Sequence, residues 1–268
     1  MKIGVIGAGG NIAGAVLGGM LRASFIRPDA LFLFDVRKDS LGKYREKGAH
    51  ICETGAQAVE KSDMIFLAVK PQIAYQVIDE IKSGMTADKC IVSVVAGLSI
   101  DSIKKAFGMD CKVIRVMPNT PLLQGKGATG ICCLPPVCEQ EFQYAQSVFQ
   151  TAGITVVCEE SQMDAVTAVS GSGPAYVFQF AKNVCEEAQT LGLPYEKAME
   201  LFCQTLIGSA ELLKNSGLSA QALTDMVTSP NGTTYAALQS FAANGFDQVI
   251  KDAVKACFDR SKALGKQE

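Results

Sequence analysis

KIGVIGAGGNIAGAV, Lys2–Val16, is the stretch whose reading decides the fold. KIGVIG is a short β-branched run ending in glycine, and NIAGAVLGGMLRA then places apolar residues at helical spacing. Strand, glycine-rich turn and helix in this order open a dinucleotide-binding βαβ unit. Gly7 supplies the tight turn, Gly9 lets the backbone approach a pyrophosphate, and amides at the helix N-terminus point at the phosphates. The usual spacing, G-x-G-x-x-G/A, puts Ile12 where a small residue must let helix and strand pack closely. Ala13 or Gly14 can do so if the turn is one residue longer, so the stretch reads as G-x-G-x-x-x-A. A purely structural glycine turn is the alternative, and the flanking strands weigh against it.

Working outward, ALFLFD (Ala30–Asp35) is a second strand, followed by a polar helix through Lys47. MIFLAV (Met64–Val69) and CIVSVVAG (Cys90–Gly97) are continuous apolar runs suited to strands covered on both faces. QIAYQVIDEIK aligns Ile73, Val77, Ile78 and Ile81 on one helical face, and CKVIRVMP is a strand ending at Pro118. Repeated strand–helix–strand units predict an α/β, Rossmann-type, mostly parallel sheet over residues 1–160. Ligands of such sheets bind at the carboxyl ends of strands, which singles out Ala68-Val69-Lys70-Pro71 and Val95-Ala96-Gly97. Lys70 is equally an ordinary strand-end lysine. Asp35 is placed to accept hydrogen bonds from an adenosine ribose and to repel a 2′-phosphate. Val36 and then Arg37 and Lys38 follow, and these cations either pair with that phosphate or are solvated loop charges. NAD and NADP both stay open.

From Ser161 the β-rich runs give way to helical patterns at about Pro174–Leu191, Tyr195–Asn215, Ser219–Val227, Thr234–Ala243 and Phe246–Leu264. Residues 161–268 are therefore expected to form an all-helical domain. SQMD (Ser161–Asp164) has a capping-box pattern, Pro174 suits a first helical turn, and LGLP and NSG suit helix ends. The stretch 174–190 is too apolar for a solvated monomer. It is the core of its own domain, or packs on a second subunit, or both.

The 268 residues leave room for two domains at ~150 residues each, and 48% hydrophobic against 19% charged residues gives ample core. A net charge of −2 with no Lys/Arg block argues against a nucleic-acid or anionic-membrane surface. The N-terminal run imitates a signal peptide, but Asn11 and five glycines between Gly4 and Gly14 interrupt it. No uncharged apolar stretch reaches the ~18 residues a membrane span needs. The ten cysteines show no C-x-x-C pair; Cys132, Cys133 and Cys138 are the nearest to a cluster, and reduced, buried thiols are expected rather than a metal site. One histidine, His50, argues against histidine-based catalysis. The expectation is a soluble, cytoplasmic protein.

MPNTP (Met117–Pro121) stiffens a chain leaving the sheet. TSPNGTT (Thr228–Thr234), and similarly VSGSGPAY (Val169–Tyr176), offers hydroxyls and backbone N–H groups at a helix start, good partners for a small carboxylate, although each segment taken alone is more often a loop with a capped helix than a site. With KIGVIGAGG and AVKPQ, and above all LTDMVTSPNGTTYAAL, these segments resemble the pyrroline-5-carboxylate reductase family, in order, from Lys2 to about Lys262. The resemblance implies hydride transfer from NADP(H), or NAD(H), to the imine carbon of pyrroline-5-carboxylate, giving L-proline, and a C-terminal domain that forms homodimers and rings of dimers. It implies cofactor contacts at Gly7, Ala8, Gly9, Gly10, Asn11, Ile12, Asp35, Val36, Arg37, Ala68–Pro71 and Val95–Gly97. It places the substrate among Met117, Asn119, Ser170, Gly171, Ser172, Ser229, Gly232 and Thr233. Thr234 is the implied catalytic residue, bonding the ring nitrogen while amides near Gly232 and Thr233 hold the carboxylate. The chain departs from the family pattern at the lengthened glycine turn, at Gly55 for an asparagine, at Asn231 for a glycine and at Asp35 for a small polar residue. A β-hydroxyacid dehydrogenase, with Lys182 and Asn183 as its pair, is the runner-up. A non-catalytic NAD(P) sensor would not need the 228–234 loop.

Overall fold

A computed structural model describes residues 1–265. The chain begins with β1 (Ile3–Ile6), α1 (Asn11–Arg22), β2 (Leu31–Phe34), α2 (Gly42–Arg45), β3 (His50–Ile51), α3 (Gly55–Glu60) and β4 (Met64–Leu67). It continues with α4 (Ala74–Ile81), β5 (Cys90–Ser93), α5 (Ile100–Phe107), β6 (Lys112–Met117), β7 (Gly127–Cys133), α6 (Glu139–Gln150) and β8 (Gly153–Val157). The eight strands form one sheet in the order β3-β2-β1-β4-β5-β6-β7-β8. All neighbours are parallel except β6 and β7. Strand order reverses between β1 and β4, so the carboxyl ends of these two strands flank the crevice where open parallel sheets bind ligands.

Pleat alternation explains the continuous apolar runs. Val5, Phe66, Val92 and Ile114 face a core that contains Val16, Leu17 and Met20 of α1 and Phe149 of α6. Ile6, Ile65, Leu67, Ile91 and Val113 face the opposite core, with Ile78 of α4 and Ile103 of α5. The polar helix expected through Lys47 is a 3₁₀ turn at Lys38–Leu41 and the single turn of α2, ending before Gly48 at φ +98°.

After β8 come α7 (Met163–Val166), a π-helical turn at Thr167–Gly171, α8 (Gly173–Thr190), α9 (Tyr195–Asn215), α10 (Ala220–Met226), α11 (Thr233–Ala243) and α12 (Phe246–Leu264). Gly192 and Gly217 end helices with positive φ, as LGLP and NSG predict. The capping pair lies two residues earlier than SQMD implies: the Glu159 N–H donates to Gln162 Oε1 at 2.9 Å.

Two compact units result: Met1–Pro174 together with the chain from Cys257, and Ala175–Ala256. The composition changes near residue 160, yet Met163 and Ala168 are still buried, and a Cβ on Gly130 of β7 would stand 2.5 Å from Val166 Cγ1. This stretch has helical periodicity but packs on the sheet. No helix among the described residues is long and apolar enough to cross a membrane.

Candidate active site

The glycine turn sits at the switch point. Gly7 has φ +83°, and a Cβ there would overlap the Ala68 carbonyl oxygen at the end of β4. Gly7 and Ala8 donate their N–H groups to Phe34 O at 2.9 and 3.1 Å, and Gly10 N–H closes a turn on Gly7 O at 3.0 Å. Gly10 is the N-cap of α1 and has no capping side chain; the first helical bond runs from Gly14 N–H to Gly10 O at 2.8 Å. The N–H groups of Asn11, Ile12 and Ala13 therefore have no partner within the helix. Ala13 is buried and Ile12 only partly so, so the lengthened turn moves the packing position by one residue. A glycine-rich cradle, its one Cβ the buried Ala8, leading to an uncapped 12-residue helix fits a pyrophosphate.

Asp35 follows β2 and is 7% exposed. Its Oδ2 accepts from Gly9 N–H and its Oδ1 from Arg37 N–H, both at 2.9 Å. A Cβ on Gly9 would run into Ser40 Oγ and Asp35. The Arg37 guanidinium lies 3.5 Å from Asp35 Oδ1 and donates to Gly9 O at 3.1 Å, while Lys38 pairs with Glu53. Val36 is exposed. Gly55 has no room for a side chain as the chain stands: a Cβ there would come within 2.7 Å of Ile81 Cγ2 and 3.4 Å of Phe34 Cδ1.

At the end of β4, Ala68 donates to Ile6 O at 2.9 Å, Val69 is half-buried, Lys70 is exposed and Pro71 starts a 3₁₀ turn. Beyond β5, Val95 is buried with its N–H 3.3 Å from Ser93 Oγ, Ala96 is half-buried, and Gly97 has φ +82°. A Cβ on Gly97 would stand 2.9 Å from Leu264 Cβ and 3.0 Å from Gly265 N, so the end of α12 seats directly on this loop. A partly buried charge network ties Ile100 and α12 to the sheet. Arg115 of β6 is 3.5 Å from Glu160 and 3.7 Å from Asp164. Glu160 accepts from Ile100 N–H at 2.6 Å, and Ser261 of α12 donates to Asp164 Oδ1 at 2.7 Å. Nothing in the sequence pattern marks this network, because Asp164 and Ser261 lie 97 residues apart.

Met117, Asn119, Ser170 and Gly171 are brought together. Asn119 Nδ2 donates to Ser170 O at 3.1 Å, and Asn119 Oδ1 accepts from Ala128 N–H at 2.9 Å. A Cβ on Gly171 would meet Met117 Sδ at 3.3 Å. Asn119 thus pins the π-helical turn to β7, and Ser172 Oγ lies 3.2 Å from Cys257 Sγ. π-Turns of this kind recur at functional sites.

In the helical unit, the 228–234 loop repeats the logic of the glycine turn. Asn231 has φ +58°, Gly232 N–H donates to Ser229 O at 3.0 Å, and Gly232 is the N-cap of α11 without a capping side chain. The first helical bond is Ala236 N–H to Gly232 O at 3.1 Å, leaving the Thr233, Thr234 and Tyr235 N–H groups without helical partners. Ser229 and Thr233 are exposed and Thr234 is partly buried.

Other candidate chemistry falls away. His50 stacks on Phe32 at 4.8 Å. Lys182 pairs with Glu186 at 3.7 Å and Asn183 lies 3.3 Å from Gln179 Nε2, the pattern of a helix surface. Burial pushes the Cys132 thiol up to about 12 and Cys90 higher still, which keeps both protonated. Among the described residues no His/Cys/Asp/Glu group is arranged to hold a metal ion.

Sheet topology, cradle and uncapped helix define a dinucleotide-dependent oxidoreductase joined to a helical unit. Comparison with known proteins narrows the class. A model of NADP oxidoreductase, coenzyme F420-dependent, matches residues 2–97, and one of pyrroline-5-carboxylate reductase dimerisation matches residues 160–264. The chain is 34% identical over 266 residues to pyrroline-5-carboxylate reductase of Escherichia coli (strain K12), covering 99% of this chain and 98% of that protein. It is 37% identical over 268 residues to the Pseudomonas aeruginosa enzyme of the same name, with 99% and 97% covered. A crystal structure of Plasmodium falciparum pyrroline carboxylate reductase with NADP bound superposes with a TM-score of 0.91 at 32% identity, covering 99% of this chain and 98% of that one. The chain belongs to the pyrroline-5-carboxylate reductase family.

Proposed function

We infer that this chain reduces 1-pyrroline-5-carboxylate to L-proline, the last step of proline biosynthesis, with NAD(P)H as donor. What carries the reading is the match of the whole chain to reductases of that name, and the residue chemistry agrees with it. When bound, the reduced nicotinamide supplies the hydride. Gly7–Ile12 hold the pyrophosphate through backbone N–H groups, Asp35–Arg37 meet the adenosine ribose, and Ala68–Pro71 with Val95–Gly97 line the ribose and nicotinamide. Thr234 holds the ring nitrogen of the substrate, and the free N–H groups that open α11, with Ser229 and Gly232, hold its carboxylate. Met117, Asn119, Ser170, Gly171 and Ser172 form a wall of the substrate cleft, with Asn119 fixing its backbone. A pyrroline nitrogen is basic enough to be protonated from water, and the resulting iminium accepts hydride at carbon. The chain therefore needs orientation more than a strong acid, which suits a protein whose one histidine is stacked on a phenylalanine.

Residues 1–160 bind the cofactor in this reading. Residues 161–268 bind substrate and pair with a second copy, as the homodimer from which larger rings of dimers are built. Ten cysteines without a disulfide among them support a cytoplasmic setting for this reading. The purified protein should oxidise NADH or NADPH only when pyrroline-5-carboxylate is added. Oxidation driven by a β-hydroxyacid's keto partner instead would replace this reading with the dehydrogenase one.

A further inference from the structure

We propose that Asp35 makes this enzyme discriminate against a 2′-phosphate on the adenosine ribose, so that the non-phosphorylated dinucleotide is its preferred hydride carrier. The proposal rests on the reductase reading above and deepens it. Asp35 is fixed rather than free. Each carboxylate oxygen takes one backbone N–H, from Gly9 and from Arg37, and a Cβ on Gly9 would stand 2.9 Å from Asp35 Oδ2. The carboxylate is therefore held against the cradle at the switch point, nearly out of solvent at 7% exposure.

Each oxygen keeps a further acceptor position. Ser40 does not fill it with its proton, which goes to Arg37 O at 2.7 Å. A vicinal diol donates two hydrogens and matches this acceptor pair. A phosphate monoester has no proton to spare near neutral pH. It brings close to two negative charges against a carboxylate that water screens poorly.

The cations that sequence alone offers as phosphate partners already have partners within the chain. Arg37 lies against Asp35 Oδ1 and Gly9 O, and Lys38 is paired with Glu53. Arg37 is 68% exposed along its side chain, so it is the group through which a phosphate would be rescued.

The experiment titrates the intact protein calorimetrically with ADP-ribose and with 2′-phospho-ADP-ribose, without nicotinamide or substrate. Wild type is expected to bind ADP-ribose at least ~10-fold tighter, and Asp35→Asn to shrink that ratio by ~10-fold or more. Arg37→Ala should keep the preference in the same sense. Equal or tighter binding of the phosphorylated probe, or a ratio unmoved by Asp35→Asn, overturns the proposal while leaving the reductase reading in place. If wild type binds neither probe, the cofactor role of the glycine turn falls, and the proposal with it. Should Asp35→Asn fail to fold, the salt dependence of wild type decides. Repulsion predicts that the gap narrows as salt rises, whereas a gap that widens means that Arg37 holds the phosphate and the proposal is wrong.

Discussion

The sheet unit and the helical unit are built on opposite terms. α1, with 12 residues, buries Ala13, Ala15, Val16, Leu17, Gly19 and Met20. α9, with 21 residues, buries only Ala198. α8 buries Ala181 and Cys185 along 18 residues, and α10 and α11 bury none. Phe178, Leu201, Ile207, Met226 and Val227 stand exposed instead. The first unit encloses its own core on both faces of a sheet. The second has apolar helices with almost nothing enclosed, held in part by contacts among Phe180, Phe202, Phe241 and Phe246. A large exposed apolar surface marks an interface, so the difference teaches that one unit folds on intramolecular burial and the other needs a second copy.

The most direct way to break that contrast is to charge the exposed face. Phe178→Glu combined with Leu201→Glu should convert the homo-oligomer to monomer in sedimentation and abolish activity. Burying such side chains is worth about 1.5–3 kcal/mol each, counted twice across a two-fold interface. A double variant that stays oligomeric, or a fully active monomer, would show that this face is solvent surface after all. The next largest effect sharpens the contrast by chemistry. Both units present an uncapped helix N-terminus, one at Gly10 and one at Gly232. Thr234→Ala should lower kcat/KM for pyrroline-5-carboxylate about 10–100-fold, the worth of one hydrogen bond to a charged group. Calorimetric binding of the dinucleotide should be unchanged. Weaker dinucleotide binding in that variant would tie Thr234 to the cofactor instead.

Legibility in the sequence follows the same division. The long helices read almost to the residue, because Gly192, Gly217 and regular apolar spacing are local signals. The strands β1, β2, β4, β5 and β6 read well for the same reason. β7 and β8 do not. β7 contains two glycines and a threonine, so its sequence lacks a continuous apolar run although Thr129–Cys132 are buried, and β8 is an edge strand that leaves Ile154, Val156 and Val157 exposed. The candidate site residues are legible as turn chemistry at Gly7–Gly10 and at 228–234, where the structure has the turns and uncapped helix starts. Asn119 was legible as a polar residue after a strand, but not as the pin between β7 and the π-helical turn. Asp164 looked like a helix-start acid. Its engagement with Ser261 and Arg115 is a non-local fact, and only folding brings those groups together.

That network is where the smallest effect is expected, and it tests whether the sheet unit is as self-contained as its core suggests. Ser261 is 3% exposed and lies in the last turns of α12, three residues before the Leu264 that packs on Gly97. Ser261→Ala removes one buried donor from Asp164 while Arg115 remains close by. The loss should be about 1 kcal/mol of stability, read as a shift of 2–4 °C in Tm for a chain of this size. If the seat of α12 on Gly97 matters to the cofactor loop, the variant should also raise KM for the dinucleotide a few-fold while KM for pyrroline-5-carboxylate stays put. A stability loss with both KM values unchanged would confine the network to holding the chain end. A KM change on the dinucleotide side alone would make Ser261 a positioning residue. The Val95–Gly97 loop would then be tuned by the far end of the chain and not by the sheet alone.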